Sequence, residues 1–117
     1  MKRSAIARLT DILTMIDAAA DIVAGRTFAD YRMDLVMRLA VERCVEIVSE
    51  ASRHVPPESK DRFSAVPWSE IAAVGNRLRH EYNRLDDRIL WQIATVSLPA
   101  LRPTIVTILD DAEHGQR

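Results

Sequence analysis

Apolar residues recur at every third or fourth position along most of the chain, and each change of phase marks a new helix. Ile6, Leu9, Ile12, Leu13, Ile16, Ala20 and Val23 step along one face, with Arg8, Thr10, Asp11, Asp17 and Asp21 between them. That spacing predicts an amphipathic helix of about twenty residues. Ser4 stands where an N-cap belongs, and Gly25 where a left-handed C-terminal cap belongs. Thr27-Phe28-Ala29-Asp30 has the form of a capping box with Asp in the place of Glu. It predicts a second, longer helix running to about Arg53. The apolar face of that helix reads Met33, Val36, Met37, Ala40, Cys44, Ile47, Val48 and Ala51, with Arg38, Glu42, Arg43, Glu46 and Glu50 mostly elsewhere on the wheel.

Pro56-Pro57 stops the second helix, and the polar stretch 58–65 is the longest loop, with room for one helical turn. Pro67 suits the first position of a third helix, which carries Trp68, Ile71, Ala72, Val74 and Leu78 and ends near Asn83. Asp86-Asp87 restarts a helix with negative charge at its positive end. Ile89, Leu90, Trp91, Ile93 and Val96 come next, and Pro99 and Pro103 predict a break or kink before Ile105, Val106, Ile108 and Leu109. No segment alternates as a strand would, and there is no internal repeat. The expected fold is all-α, an antiparallel four- to five-helix up-and-down bundle forming one domain over residues 1–117.

Composition narrows the function. With 48% apolar and 28% charged residues, the 117-residue chain reads as a soluble globular domain. Sixteen Lys and Arg against seventeen Asp and Glu leave a net charge of −1, which excludes nucleic-acid binding through bulk positive charge while allowing a local basic patch. A lone cysteine, Cys44, cannot form an internal disulfide. His54, His80 and His114 lie far apart with no metal-ligand spacing. No cofactor is expected, and the three glycines build no phosphate loop. Met1-Lys2-Arg3 has the basic start of a signal peptide, but Arg8, Asp11 and Asp17 interrupt the segment that would have to be apolar. No uncharged run approaches the roughly 20 residues of a membrane span. A cytoplasmic protein without membrane contact is expected.

The segment with chemical potential is Gly75-Asn76-Arg77-Leu78-Arg79-His80-Glu81-Tyr82-Asn83-Arg84. Arg77 and His80 are three apart and share a helix face. An imidazole moves protons near neutral pH, and guanidinium groups hold phosphate oxygens, so the pairing suits phosphodiester chemistry. The spacing alone does not distinguish a nuclease from a nucleotide pocket or an ordinary surface, and charged residues late in a helix are usually a solvated face.

From about Ile6 to Leu109 the chain resembles the HepT-like family of the HEPN superfamily, small helical ribonuclease toxins of prokaryotic toxin–antitoxin pairs. The resemblance lies in an ordered series of pieces. They are Leu9-Thr10-Asp11-Ile12-Leu13, Gly25-Arg26-Thr27-Phe28, Ala40-Val41-Glu42-Arg43 and Ser49-Glu50-Ala51, then Val66-Pro67-Trp68-Ser69-Glu70-Ile71, Asn76-Arg77-Leu78-Arg79-His80-Glu81-Tyr82, Asp87-Arg88-Ile89-Leu90-Trp91 and Leu98-Pro99. It implies a homodimer in which two copies of the motif face one cleft and cut RNA without a metal. It also implies a minimal nucleotidyltransferase antitoxin that attaches AMP to the motif tyrosine. Carried over, His80 is the catalytic histidine, Asn76 the orienting residue and Tyr82 the modified one, while Arg77, with help from Arg79, is expected to stand in as the phosphate holder.

Two positions depart from the resembled pattern. An arginine is expected most often five residues before the histidine, where this chain has Gly75, and a glycine is expected where it has Ser49. The loss at position 75 raises a second expectation, a bundle that has lost cleavage and only binds the nucleotidyltransferase or a nucleotide. A third is a structural helical dimer without a ligand. Elsewhere Glu50 is a candidate for the cleft, Cys44 a small core residue, Trp68 and Trp91 core anchors, and Met15, Met33 and Met37 packing or interface residues. His54 and His114 are expected to face solvent.

Overall fold

The computed structural model describes residues 1–81 and 86–114. Seven α-helices follow one another among these residues, and none of them forms a strand. They are α1 (Arg3–Val23), α2 (Phe28–Met33), α3 (Leu35–Ser52), α4 (Pro57–Arg62), α5 (Trp68–Glu81), α6 (Asp87–Gln92) and α7 (Leu98–His114), with a π-helical turn, Ile93–Ser97, joining α6 to α7. The all-α bundle expected from periodicity is present. Its long members are α1, α3, α5 and the continuous rod from Asp87 to His114.

One contiguous apolar core holds the bundle together. Leu9, Ile12, Ile16 and Ala19 of α1 meet Val41, Val45 and Val48 of α3, and Leu90, Ala94, Leu98, Leu101, Ile105 and Ile108 close it from the C-terminal rod. Removing such side chains from water is the main favourable contribution to the fold. Residue pairs fix the directions. Ala5 and Ile108 border one cavity while Asp17 reaches Arg102, so α1 and α7 run antiparallel. Arg53 and Ser49 bond Ala72 while Ser49 also takes the amide of Gly75, so α3 and α5 run antiparallel as well.

The first helix stops as its sequence implies, at Gly25 with φ +71°, a conformation that glycine adopts without a Cβ clash. Its start differs from expectation. The N-cap is Lys2, with no side-chain cap, and Ser4 already lies inside the helix. The capping box forms: Asp30 N donates to Thr27 Oγ1 at 3.1 Å and Thr27 N donates to Asp30 Oδ2 at 2.9 Å.

The second helix is not continuous to Arg53. It breaks at Asp34, whose carboxylate accepts from Met37 N at 3.0 Å and caps α3. Met33, at the end of α2, and Val36, in the first turn of α3, both expected on the buried face, are 84% and 76% exposed on either side of this break. The stretch 58–65 contains the short helix α4, with Pro57 in its first turn.

Pro99 and Pro103 do not break the C-terminal rod. A wider turn absorbs the missing Pro99 donor: Leu98 N reaches back to Ile93 O, five residues earlier. By length and composition the rod, 28 residues long, is apolar enough to cross a membrane. In this fold its inner stripe forms the core, and Arg102 midway along it pairs with Asp17.

Candidate functional site

Helix α5 carries the motif. Its first turn holds Glu70 and its last turn Arg79 and His80, which suits the helix dipole at both ends. Trp68 opens the helix, its indole Nε1 donating to Phe63 O at 3.1 Å, which fixes where α5 leaves the preceding loop. Gly75 and Leu78 are buried against the body of the bundle. Asn76, Arg77, Arg79, His80 and Glu81 are all exposed.

At about 100° per residue, Asn76 and His80 lie about 40° apart around the axis and Arg77 about 60° from His80. These three share one open face. Arg79 sits on the far side of Asn76, about 160° from Arg77, so the two arginines flank the histidine rather than stack beside it. Arg77 leans along the helix toward Glu81, Nε to Oε2 4.0 Å, with both side chains about half exposed. An ion pair so open to water is weak and leaves the guanidinium available to a phosphate. Tyr82 lies outside the described residues, as does Asn83, the expected helix end.

A cavity of about 670 Å³ runs beside this face. Ile71 and Val74 of α5 form one wall, Ile89, Ile93 and Val96 the other, and Arg77 stands at its edge. The π turn contributes Ile93 and Val96, and Ile89 and Val96 are 41% and 56% exposed. The groove is thus apolar, open and bordered by the motif.

The place where an arginine was expected is closed. Gly75 faces α3, about 140° around the helix from His80. Its amide donates to Ser49 Oγ at 2.9 Å, and the same hydroxyl donates to Ala72 O at 2.9 Å. A Cβ on Gly75 would lie 2.5 Å from Ser49 Oγ and 2.7 Å from Ser49 Cβ. The two departures from the resembled pattern are therefore in direct contact. Their separation of 26 residues hides this from local sequence patterns.

The remaining candidates fall into place. Glu50 is exposed and 3.7 Å from Arg53 Nε. Cys44 is buried, and burial raises its thiol pKa. Trp91 packs on Tyr31 and Phe28, ring centroids 5.4 and 6.3 Å away, as a core anchor. Trp68 is partly buried against the core. Sequence reasoning missed Tyr31, which is fully buried with no hydrogen-bond partner for its hydroxyl. Burial raises its pKa, and the charges of Glu42 and Asp87 push it the same way. Among the described residues, no group of three or more His, Cys, Asp or Glu could hold a metal ion.

Comparison with known proteins places this geometry in context. The family model "Ribonuclease HepT-like" matches residues 12–108. A protein of Caldanaerobacter subterraneus subsp. tengcongensis named as a candidate RNase is 35% identical over 101 residues, covering 86% of this chain and 90% of the relative. A protein of Thermococcus cleftensis named as a candidate ribonuclease HepT is 33% identical over 102 residues, 87% of this chain and 93% of its own. A candidate RNase of Methanocaldococcus jannaschii is 30% identical over 104 residues, 89% and 95%. No solved structure gives a significant match.

Proposed function

The chain belongs to the HepT-like ribonuclease family, and we propose that it is a metal-independent endoribonuclease acting as the toxin of a toxin–antitoxin pair. The observation that carries the reading is the face of α5 on which Asn76, Arg77 and His80 stand together in solvent, with no core role to explain them.

In the proposed reaction His80 takes the proton of a ribose 2′-hydroxyl, and the freed oxygen attacks the adjacent phosphorus. The bond from phosphorus to the 5′-oxygen breaks, and that oxygen leaves with a proton from the imidazolium of a second copy facing the first. The products are a 2′,3′-cyclic phosphate and a 5′-hydroxyl. Arg77, with Arg79 on the other flank, neutralises the phosphate oxygens as charge builds on them. Asn76 orients the face.

The second copy is the proposed occupant of the groove beside Arg77. The apolar walls, with Ile89 and Val96 open to water, support an interface there. Docking would bring two copies of the motif to one cleft. The proposed regulator is a minimal nucleotidyltransferase. Tyr82, two residues beyond His80, would attack the α-phosphorus of ATP, releasing pyrophosphate and leaving AMP on the phenolic oxygen.

The burial of Gly75 favours one alternative, a bundle that binds the nucleotidyltransferase or a nucleotide without cutting RNA. Incubating the protein with an oligonucleotide containing a single ribonucleotide separates the two. The ribonuclease reading expects scission only 3′ of that ribonucleotide, with a cyclic phosphate end. An intact oligonucleotide, alongside retained binding of the nucleotidyltransferase, supports the alternative.

A further inference from the structure

Ser49 is almost completely buried, at 1% exposure, yet its hydroxyl is fully employed. It donates to Ala72 O and accepts from Gly75 N, spanning one turn of α5 from the flank of α3. Arg53 adds a second bond to Ala72 O at 3.0 Å, and Ser52 Oγ donates to Ser49 O at 2.6 Å, holding this part of α3 in register. A lone glycine inside a helix is ordinarily unfavourable. Here the absence of a side chain is what lets the serine approach: any Cβ at position 75 meets both Ser49 Oγ and Ser49 Cβ well inside van der Waals contact. Ser49 Cβ is fixed to the α3 backbone and cannot swing away as the end of a long side chain could.

We infer that Ser49 and Gly75 are one coupled pair, in which the serine locks α5 onto α3 and holds position 75 shut to an arginine. The inference rests on the ribonuclease reading for its functional half. No single substitution can place a guanidinium five residues before His80, because Ser49 fills the seam through which its stem would run. Once Ser49 is reduced to glycine, the stem of an arginine at 75 has room to lie between α3 and α5. Its head can then reach water beside the motif, as long basic side chains do. There it adds a further phosphate-holding group to those proposed for Arg77 and Arg79. In the present chain, cleavage therefore depends on the arginines at 77 and 79 alone.

The experiment has two arms on the full chain. The first measures thermal midpoints of wild type, Gly75→Ala, Ser49→Gly and the double variant. Gly75→Ala is expected to lower the midpoint while Ser49 is present and to raise it in the Ser49→Gly background, where alanine's better helix propensity is no longer opposed by a clash. Equal effects in the two backgrounds overturn the coupling. This arm reads no RNA, so it stands whether or not the chain is a nuclease.

The second arm compares RNA cleavage by wild type, Ser49→Gly, Gly75→Arg and Ser49→Gly/Gly75→Arg, with folding checked by circular dichroism. The pair is expected to cleave at least about tenfold faster than wild type, a gain within what one added oxyanion-type contact supplies. Gly75→Arg alone should lose stability and show no gain. A well-folded double variant no faster than Ser49→Gly overturns the functional half and leaves the pair a packing device. Wild type and every variant failing to cut RNA refutes the ribonuclease reading, while the first arm still decides the coupling.

Discussion

Arg102 of α7 grips Asp17 of α1 with two parallel bonds, Nε to Oδ1 at 2.8 Å and Nη2 to Oδ2 at 3.2 Å. The pair ties the C-terminal rod to the first helix across 85 residues of sequence, on the surface above the core. Because Arg102 donates to it, the Asp17 carboxyl titrates below its ordinary 3.8. A carboxylate with a depressed folded pKa stabilises the fold fully above its unfolded value, and loses that contribution as pH falls through the folded value. Arg102→Ala should therefore lower the thermal midpoint slightly at neutral pH. The gap from wild type should close as pH drops below 3.8 and shrink in high salt. A gap that widens in acid contradicts this linkage.

Tyr31 fills the core with its ring while its hydroxyl has no partner. Tyr31→Phe removes an unsatisfied polar group and keeps the contact with Trp91, so it should be neutral or stabilising by up to about 1–2 kcal/mol. Tyr31→Ala should destabilise by about 3–5 kcal/mol. Urea unfolding of the two variants checks both, and a loss above about 1 kcal/mol in the phenylalanine variant would show that the hydroxyl has a partner.

The Thr27 box closes the entry to α2 with reciprocal bonds. Thr27→Ala should cost about 1 kcal/mol. Asp30 titrates below its ordinary value because the Thr27 amide and hydroxyl bond it. The sign is that of Asp17: the contribution of the box is present above pH 3.8 and fades as acid protonates Asp30. An Asp30→Ala penalty that persists undiminished at the lowest pH would contradict this.

Cys44 should be inert in the native protein. It is buried, and burial raises its thiol pKa, so little thiolate forms near neutral pH. A thiol reagent such as DTNB should react at the rate of unfolding and at once in denaturant. Rapid stoichiometric labelling of the folded chain would contradict the packing described.

Much of the fold is legible in the sequence where the determining contacts are local. The capping box at Thr27 and Asp30 and the left-handed Gly25 are decided by three or four neighbouring residues, and both form as read. The break at Asp34 is not visible there, because the periodicity of the second helix runs through it. A carboxylate capping Met37 overrides the pattern, and Met33 beside the break is exposed. Pro99, which reads as a breaker, is absorbed by a π turn, since a wider ring re-pairs the backbone without bending it out of the core, and Pro103 sits inside α7 without ending it. At the site, the sequence places Arg77 and His80 on one face because helix geometry alone does that. It cannot show that Gly75 faces α3 or that Ser49 is what it meets, because that contact joins two helices. Tyr82, central to the proposed regulation, lies outside the described residues.

The most direct measurement is cleavage of a mixed RNA pool by the purified protein in excess EDTA, wild type beside His80→Ala, with circular dichroism showing both folded. Wild type is expected to cut the RNA despite the chelator. Replacing the exposed imidazole should slow cleavage by about a hundred- to ten-thousandfold while the helix content stays the same. RNA left intact by the wild type, or cut equally well without the imidazole, would contradict the proposal that His80 on α5 moves the proton.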